Sequence, residues 1–226
     1  KPMRLVFKRK YIEVGEIWSF IFEPEEPLQW QAGQYINITM PDLPPVAEDR
    51  LFTIASAPHE KQLLITTILG DSPYKQRMKQ LQPGDIVEAD QLGGDFIWQD
   101  DGRKKLYLAG GIGVTTFRSI ITDQIHKSKP NDALMLYAGK DERRPFVEEL
   151  QALMLKDPSL TIKDYVDVRL TLEQLIRDVP DVMERTVYLA GSQLFSETLG
   201  EGLIANGIDR SQIKYDYFDG YVDLEY

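Results

Sequence analysis

The 226-residue sequence contains no cysteine. That excludes disulfides, thiolate nucleophiles, cysteine-ligated iron–sulfur clusters and structural cysteine–zinc sites. Histidine is almost as scarce: only His59 and His126 occur, far apart in the chain, so no metal site is expected. No run approaches the roughly 18 to 20 consecutive apolar residues that would cross a bilayer as a helix, and no signal peptide is recognisable. A basic excess is also missing. Lys and Arg number 26 against 36 Asp and Glu, a net charge of −10. Nucleic-acid binders carry the opposite balance, so no nucleic-acid partner is expected. Local basic clusters such as Lys8-Arg9-Lys10 and Arg103-Lys104-Lys105 read as parts of a mixed, solvated surface. Lack of cysteine suits a cytoplasmic chain. The sequence starts at Lys1 with a strand expected within a few residues. An upstream domain or membrane anchor therefore stays open, and the expected location is the cytoplasm or the cytoplasmic face of a membrane.

What is present falls into two halves with different patterning, expected as domains over residues 1–101 and 102–226. Nine of the thirteen prolines lie in the first half, where they break long helices and favour short strands joined by turns. Tyr35 to Met40 alternates with period two, as a strand with one buried face does, and Leu63 to Ile68 is a second strand. One short helix is expected around Tyr74 to Gln80. From about residue 104 strands and helices alternate. Leu106–Ala109, Ala133–Ala138, Ile162–Val166, Val187–Ala190 and Ile213–Phe218 read as strands. Phe117, Ile120, Ile121, Gln124 and Ile125 mark one helical face. Thr171 and Gln174 form a capping box, and a helix through Phe195, Leu199 and Leu203 ends at Asn206-Gly207. The expected fold is an N-terminal antiparallel β-barrel followed by an α/β doubly wound parallel sheet.

Two motifs carry chemistry. Leu108-Ala109-Gly110-Gly111-Ile112-Gly113-Val114-Thr115 links a buried strand to a helix. In open α/β sheets ligands bind beyond the carboxyl ends of strands. Glycines there let a backbone approach a phosphate closely, and a helix start offers free N–H groups. A tight strand-to-helix turn with no ligand would show the same glycines. The plain Rossmann pattern also wants an acidic residue about 20 positions on, and Asp141 comes too late for it. The second motif is Arg50-Leu51-Phe52-Thr53-Ile54-Ala55-Ser56. Arginine supplies a fork of donors for phosphate, and an aromatic supplies a flat face for a ring system.

Taken in chain order, the Arg50 motif and then the glycine turn resemble those of the ferredoxin–NADP reductase superfamily, whose stand-alone bacterial members bind FAD and NAD(P). Five further stretches carry the resemblance across nearly the whole chain, among them Leu189-Ala190-Gly191-Ser192, which resembles the family's second glycine turn. Gln31-Ala32-Gly33-Gln34-Tyr35 is similar to an early barrel strand, and Ser72-Pro73-Tyr74-Lys75 to the second flavin segment. Gly93-Gly94-Asp95-Phe96 is similar to the turn that closes the barrel, and Phe218-Asp219-Gly220-Tyr221 to the family ending. The resemblance implies an NAD(P)H-dependent flavoprotein reductase that uses NADH or NADPH as substrate, with FAD preferred over FMN. It implies that Arg50 holds a flavin phosphate and that Phe52 packs on the isoalloxazine. Thr53 would reach the reactive ring nitrogen, and Ser56 would support that strand. Ser72 and Lys75 would meet the pyrophosphate. Gly110, Gly111, Gly113 and Thr115 would bind the nucleotide pyrophosphate, and Gly191 and Ser192 would admit the nicotinamide. Phe218 would cover the other flavin face, so Thr53 and Phe218 are the expected catalytic pair.

The implied acceptor is a ferredoxin, flavodoxin, quinone, haem or membrane partner. A flavin-binding electron-relay or regulatory subunit with little nicotinamide turnover is the alternative. Three departures stand out. Thr116 occupies a position where the family often has proline. Ala190 stands where plant-type members carry cysteine. The chain also continues five residues past Tyr221. Lys140, Arg143 and Arg144 would favour a 2′-phosphate, while Asp141 and Glu142 in the same loop oppose it.

Overall fold

The computed structural model describes residues 1–216. Its first lobe is a six-stranded antiparallel sheet curled as a half-barrel. The strands are β1 (Met3–Val14), β2 (Ile17–Pro24), β3 (Tyr35–Thr39), β4 (Asp49–Thr53), β5 (Leu63–Ile68) and β6 (Ile86–Gly93), in the order β4-β3-β6-β1-β2-β5. A short helix, α1 (Pro73–Lys79), packs Tyr74 and Met78 into the apolar interior with Phe7, Phe20, Phe22, Ile36 and Phe52.

The second lobe is a five-stranded parallel sheet. Its strands are β7 (Lys105–Gly110), β8 (Ala133–Gly139), β9 (Leu160–Val166), β10 (Thr186–Ala190) and β11 (Ile213–Asp216), in the order β11-β10-β7-β8-β9. Helices α2 (Val114–His126), α3 (Val147–Met154), α4 (Leu172–Asp178) and α5 (Gln193–Ala205) connect them. Every residue of β7 and β10 is buried, as expected for strands covered on both faces by helices. The capping box at Thr171 and Gln174 forms. The helix through Leu199 ends on Asn206.

The lobes share one apolar core. Ile21, Ala32, Ala55, Leu64 and Phe96 of the first pack with Tyr107, Phe117, Ile120 and Tyr188 of the second. Polar contacts then fix the seam. Arg118 of α2 donates to the Ala55 carbonyl at 2.9 Å and to both Glu60 oxygens at 2.9 and 3.0 Å. One residue on, Ser119 Oγ donates to the Ser56 carbonyl at 2.8 Å. His59 and His126 stack across the same seam with ring centroids 3.7 Å apart.

Candidate functional site

The carboxyl ends of β7, β10 and β11 open toward the end of β4, and this cleft gathers most of the expected residues. Gly110 closes β7, and Gly111 follows with φ of +52°. Gly113 is pressed onto β10. A Cβ there would sit 2.3 Å from the Ala190 carbonyl oxygen and 2.5 Å from the Gly191 nitrogen, so only a bare backbone fits. Thr115 and Thr116 lie buried in the first turn of α2. Gly191 follows β10, and Ser192 caps α5 by accepting from the Phe195 N–H at 3.0 Å. Adjacent strand turns of this kind leave backbone N–H groups exposed to an anion at the sheet edge.

From the other lobe, Thr53 ends β4, and its Oγ1 donates to Asp216 Oδ2 at 3.2 Å. Asp216 is the last residue of β11 and aligns with Ala190. It is a residue the sequence patterns above leave out. Burial raises its pKa to about 7, and the Asp95 charge adds to the rise. The hydroxyls of Thr53 and Thr116 oppose that rise. Thr116 Oγ1 makes no hydrogen bond of ordinary geometry, yet lies near enough to the carboxyl to act on it. The signal in the sequence was an acid placed at the carboxyl end of the last parallel strand, where ligands meet such sheets.

A second cluster lies along β4 and α1. Arg50 sits over the Tyr74 ring at 5.3 Å, donates to the Asp49 carbonyl and makes no ion pair among the described residues. Phe52 is only 5% exposed and packs on Tyr74, with centroids 5.9 Å apart. Lys75 turns inward. Its Nζ donates to Thr67 Oγ1 and to the Ile68 carbonyl at 3.1 Å, and lies 5.2 Å from the Phe52 ring centre. Burial, then the Arg50 charge, pushes the Lys75 pKa down to about 7. Ser72 caps α1 through the Lys75 N–H. Two neighbouring cations, neither ion-paired among the described residues, suit a phosphate-bearing group, because a buried charge is costly until it is paired.

Ser56 has a full set of local partners. Its hydroxyl donates to the Gln62 carbonyl at 2.6 Å and accepts from the Leu64 N–H at 3.0 Å, while its carbonyl takes Ser119. It therefore holds the turn that follows Thr53. Beyond β8, Arg144 is buried over Tyr137 and paired with Asp164, so it is not available to a 2′-phosphate. Phe218, with Tyr221 and the rest of the chain end, lies outside the described residues. Among the described residues no cluster suited to a metal ion is found, and no helix is long and apolar enough to cross a membrane.

Known proteins place this architecture. No family model matches the chain. The flavohemoprotein of Vibrio cholerae is 22% identical over 240 residues, which cover 97% of this chain and 60% of that protein. The NAD(P)H-flavin reductase of Aliivibrio fischeri is 24% identical over 192 residues, 77% of this chain and 80% of that protein. The ferredoxin-NADP+ reductase of Plasmodium falciparum superposes with a TM-score of 0.81 at 12% identity, covering 96% of this chain and 97% of that one. The chain spans 60% or less of the length of the first relatives it matches. The chain shares the two-lobed fold of that ferredoxin-NADP+ reductase, and its sequence is similar to those of the flavohemoprotein and the flavin reductase.

Proposed function

We propose that the chain holds FAD in its first lobe, accepts reducing equivalents from NADH or NADPH bound at the second, and passes them to a separate acceptor. The observation that carries this reading is the contact of Thr53 with Asp216 across the cleft, beside the glycine turns at Gly110–Gly113 and Gly191. Catalysis of this kind needs two ring systems brought face to face with water excluded, and the cleft between the lobes is the place where both halves contribute.

In this reading Arg50 and Lys75 neutralise the flavin pyrophosphate, which favours FAD over FMN. Phe52 gives the ring an apolar wall. The backbone of Gly110, Gly111 and Gly113, with Thr115, takes the dinucleotide pyrophosphate. Gly191 lets the nicotinamide approach, and Ser192 orders the turn behind it. Phe218 is assigned to the remaining flavin face. The bound flavin supplies hydride acceptance and one- or two-electron release. Thr53, whose hydroxyl donates to Asp216, would be the residue that meets the reactive ring nitrogen. Asp216, with a pKa near 7, can hold or release a proton at that hydroxyl. A ferredoxin, flavodoxin, quinone or haem protein would serve as acceptor.

The test is anaerobic titration of the flavin-loaded protein with NADH and with NADPH. Bleaching of the flavin absorbance by either supports the reading. A flavin spectrum unchanged by both overturns it, and leaves the chain a flavin carrier without nicotinamide turnover. Release of the flavin by denaturation then identifies it as FAD or FMN.

A further inference from the structure

Thr116 is the residue at which this sequence departs from the proline common in its resembled family, and the structure gives its hydroxyl a particular setting. The residue is completely buried in the first turn of α2. A helical threonine ordinarily returns its hydroxyl to a carbonyl one turn back. Here that bond is absent, and Oγ1 has no partner of ordinary geometry. Buried hydroxyls without a partner are rare because they have given up water for nothing. The Thr116 hydroxyl acts on the Asp216 carboxyl, which already accepts from Thr53 at 3.2 Å. Gly113 lies against Ala190, and Ala190 aligns with Asp216 on the neighbouring strand. The start of α2 is therefore held over the ends of β10 and β11.

We propose that Thr116 is a positioning residue whose hydroxyl, together with that of Thr53, brackets the Asp216 carboxyl and stabilises it as an acceptor of both O–H groups. Proline at this position could form the helix start but has no hydroxyl to give. The two threonines come from different lobes, so the carboxyl is held from both sides of the cleft. Among the described residues few other groups bear on it. Asp95, in the turn that closes the first lobe, repels its charge. Lys214 of β11 spends its ammonium on the Asp95 carbonyl at 3.3 Å. The described residues of β4, α2 and β10 tied to it, Thr53, Thr116 and Ala190, carry no charge.

The consequence for turnover rests on the hydride-transfer reading, but the bracket itself does not, so it is tested in the flavin-free full chain. Aspartate side-chain carbon-13 resonances are followed against pH for the wild type, Thr116→Val, Thr116→Ser and Thr53→Val. In the wild type Asp216 should titrate near pH 7. Thr116→Val should raise that midpoint by about one pH unit, the worth of one hydrogen bond to a charged group. Thr116→Ser should restore it, and Thr53→Val should raise it as Thr116→Val does. Thr116→Ala, which removes the hydroxyl with less bulk, guards against a packing defect in the valine variant. An Asp216 midpoint unchanged in folded Thr116→Val and Thr116→Ala overturns the proposal. If the midpoint moves as expected but nicotinamide reduction of the flavin-loaded protein keeps its wild-type pH profile, the bracket stands and the proton role of Asp216 fails.

Discussion

Replacing Arg118 by alanine should loosen the seam between the lobes and, through it, the cleft. The Arg118 side chain is 9% exposed and meets three partners: Glu60 in two-pronged fashion, Glu149 at 2.9 Å and the Ala55 carbonyl. Removing one side of a buried ion pair costs about 3–5 kcal/mol, because the other charge stays behind unpaired. Glu60 and Glu149 are 29% and 42% exposed, so water recovers part of that loss. Exposed pairs are worth about 1 kcal/mol or less. A net loss of about 2–3 kcal/mol follows, most of it from Glu60 and Ala55. In a chain of this length that lowers the melting temperature by about 4–12 °C.

The pH dependence gives a second, independent readout. Burial alone would raise the Glu60 pKa, but the hydrogen bonds and charge of Arg118 and the Ala57 N–H outweigh it, and the net shift is downward. A carboxylate whose pKa is lower in the folded state stabilises the fold above its unfolded pKa and loses that contribution as pH falls through the folded value. The stability gap between wild type and Arg118→Ala should therefore be full at pH 6 to 7 and narrow below about pH 4.3. Glu149→Gln should cost less than about 1 kcal/mol. Thermal unfolding of the three proteins from pH 3.5 to 7 decides the matter. A melting temperature within 1 or 2 °C (about half a kcal/mol) of wild type at pH 7, or a gap that widens in acid, refutes the reasoning.

Other perturbations separate the site from its scaffold. Arg50→Ala should lower flavin retention about tenfold or more while circular dichroism and melting of the flavin-free protein stay close to wild type, since the lost group makes a charge-assisted phosphate contact worth about 1.5–3 kcal/mol. Lys75→Met should also lower flavin affinity, yet stabilise the flavin-free protein by about 1–4 kcal/mol, because a buried unpaired ammonium is replaced by an apolar chain. The Lys75 pKa is depressed to about 7, so this stabilisation should be greatest at and below pH 7 and fade toward pH 10.5, read from denaturant melts across that range. Gly113→Ala should destabilise the second lobe by about 1–3 kcal/mol or more, because its Cβ would meet the Ala190 carbonyl at 2.3 Å. That variant reports on folding first, and soluble yield and melting temperature measure it. Burial and then His126 lower the His59 pKa. Stability should therefore fall as pH drops through about 6.5, and His126→Ala should flatten that slope.

Much of the second lobe was legible because its strands are short apolar runs and its helices keep a clean period. Phe117, Ile120 and Ile121 are all buried, as their spacing requires. The first lobe was harder. Strand β1 carries Lys8, Arg9, Lys10 and Glu13 within twelve residues and shifts register twice against β2, which blurs the two-residue alternation. Strand β6 alternates buried Val87 and Ala89 with exposed acids, but its run through Asp90 and Gln91 reads locally as a turn. Lys75 lies beside Ser72 in the sequence, but the direction of its side chain is a tertiary property. Only the neighbouring Thr67 and Ile68 of β5 show that its ammonium turns inward. Asp216 was missed for a related reason. Its one signal, a place at the carboxyl end of the last strand, is shared with the exposed acids that follow most strands. It is half-buried where β11 ends beside Ala190, with the Thr53 hydroxyl on its carboxyl.

Helix α2 explains why the site is a property of the seam more than of either motif. Gly113 leads into it, its first turn supplies Thr116 to the cleft, and its next residues, Arg118 and Ser119, bind Ala55, Ser56 and Glu60. Those last residues begin two positions after Thr53. One helix turn and one short loop therefore set where Thr53 stands relative to Asp216, with the Ser56 hydroxyl holding the loop in shape. A side-chain contact of 3.2 Å across two lobes survives only if that path is stiff. The glycine turn and the Arg50–Ser56 strand can each be read alone as a ligand motif. Their register against one another comes from two adjacent residues of α2, neither of which belongs to either motif. It follows that Ser119→Ala, which removes one bond at the centre of this path, should alter the Asp216 titration measured by carbon-13 resonance more than its modest cost of about 1 kcal/mol in stability would suggest. An Asp216 titration identical to wild type in that variant would show that the apolar core alone fixes the lobes.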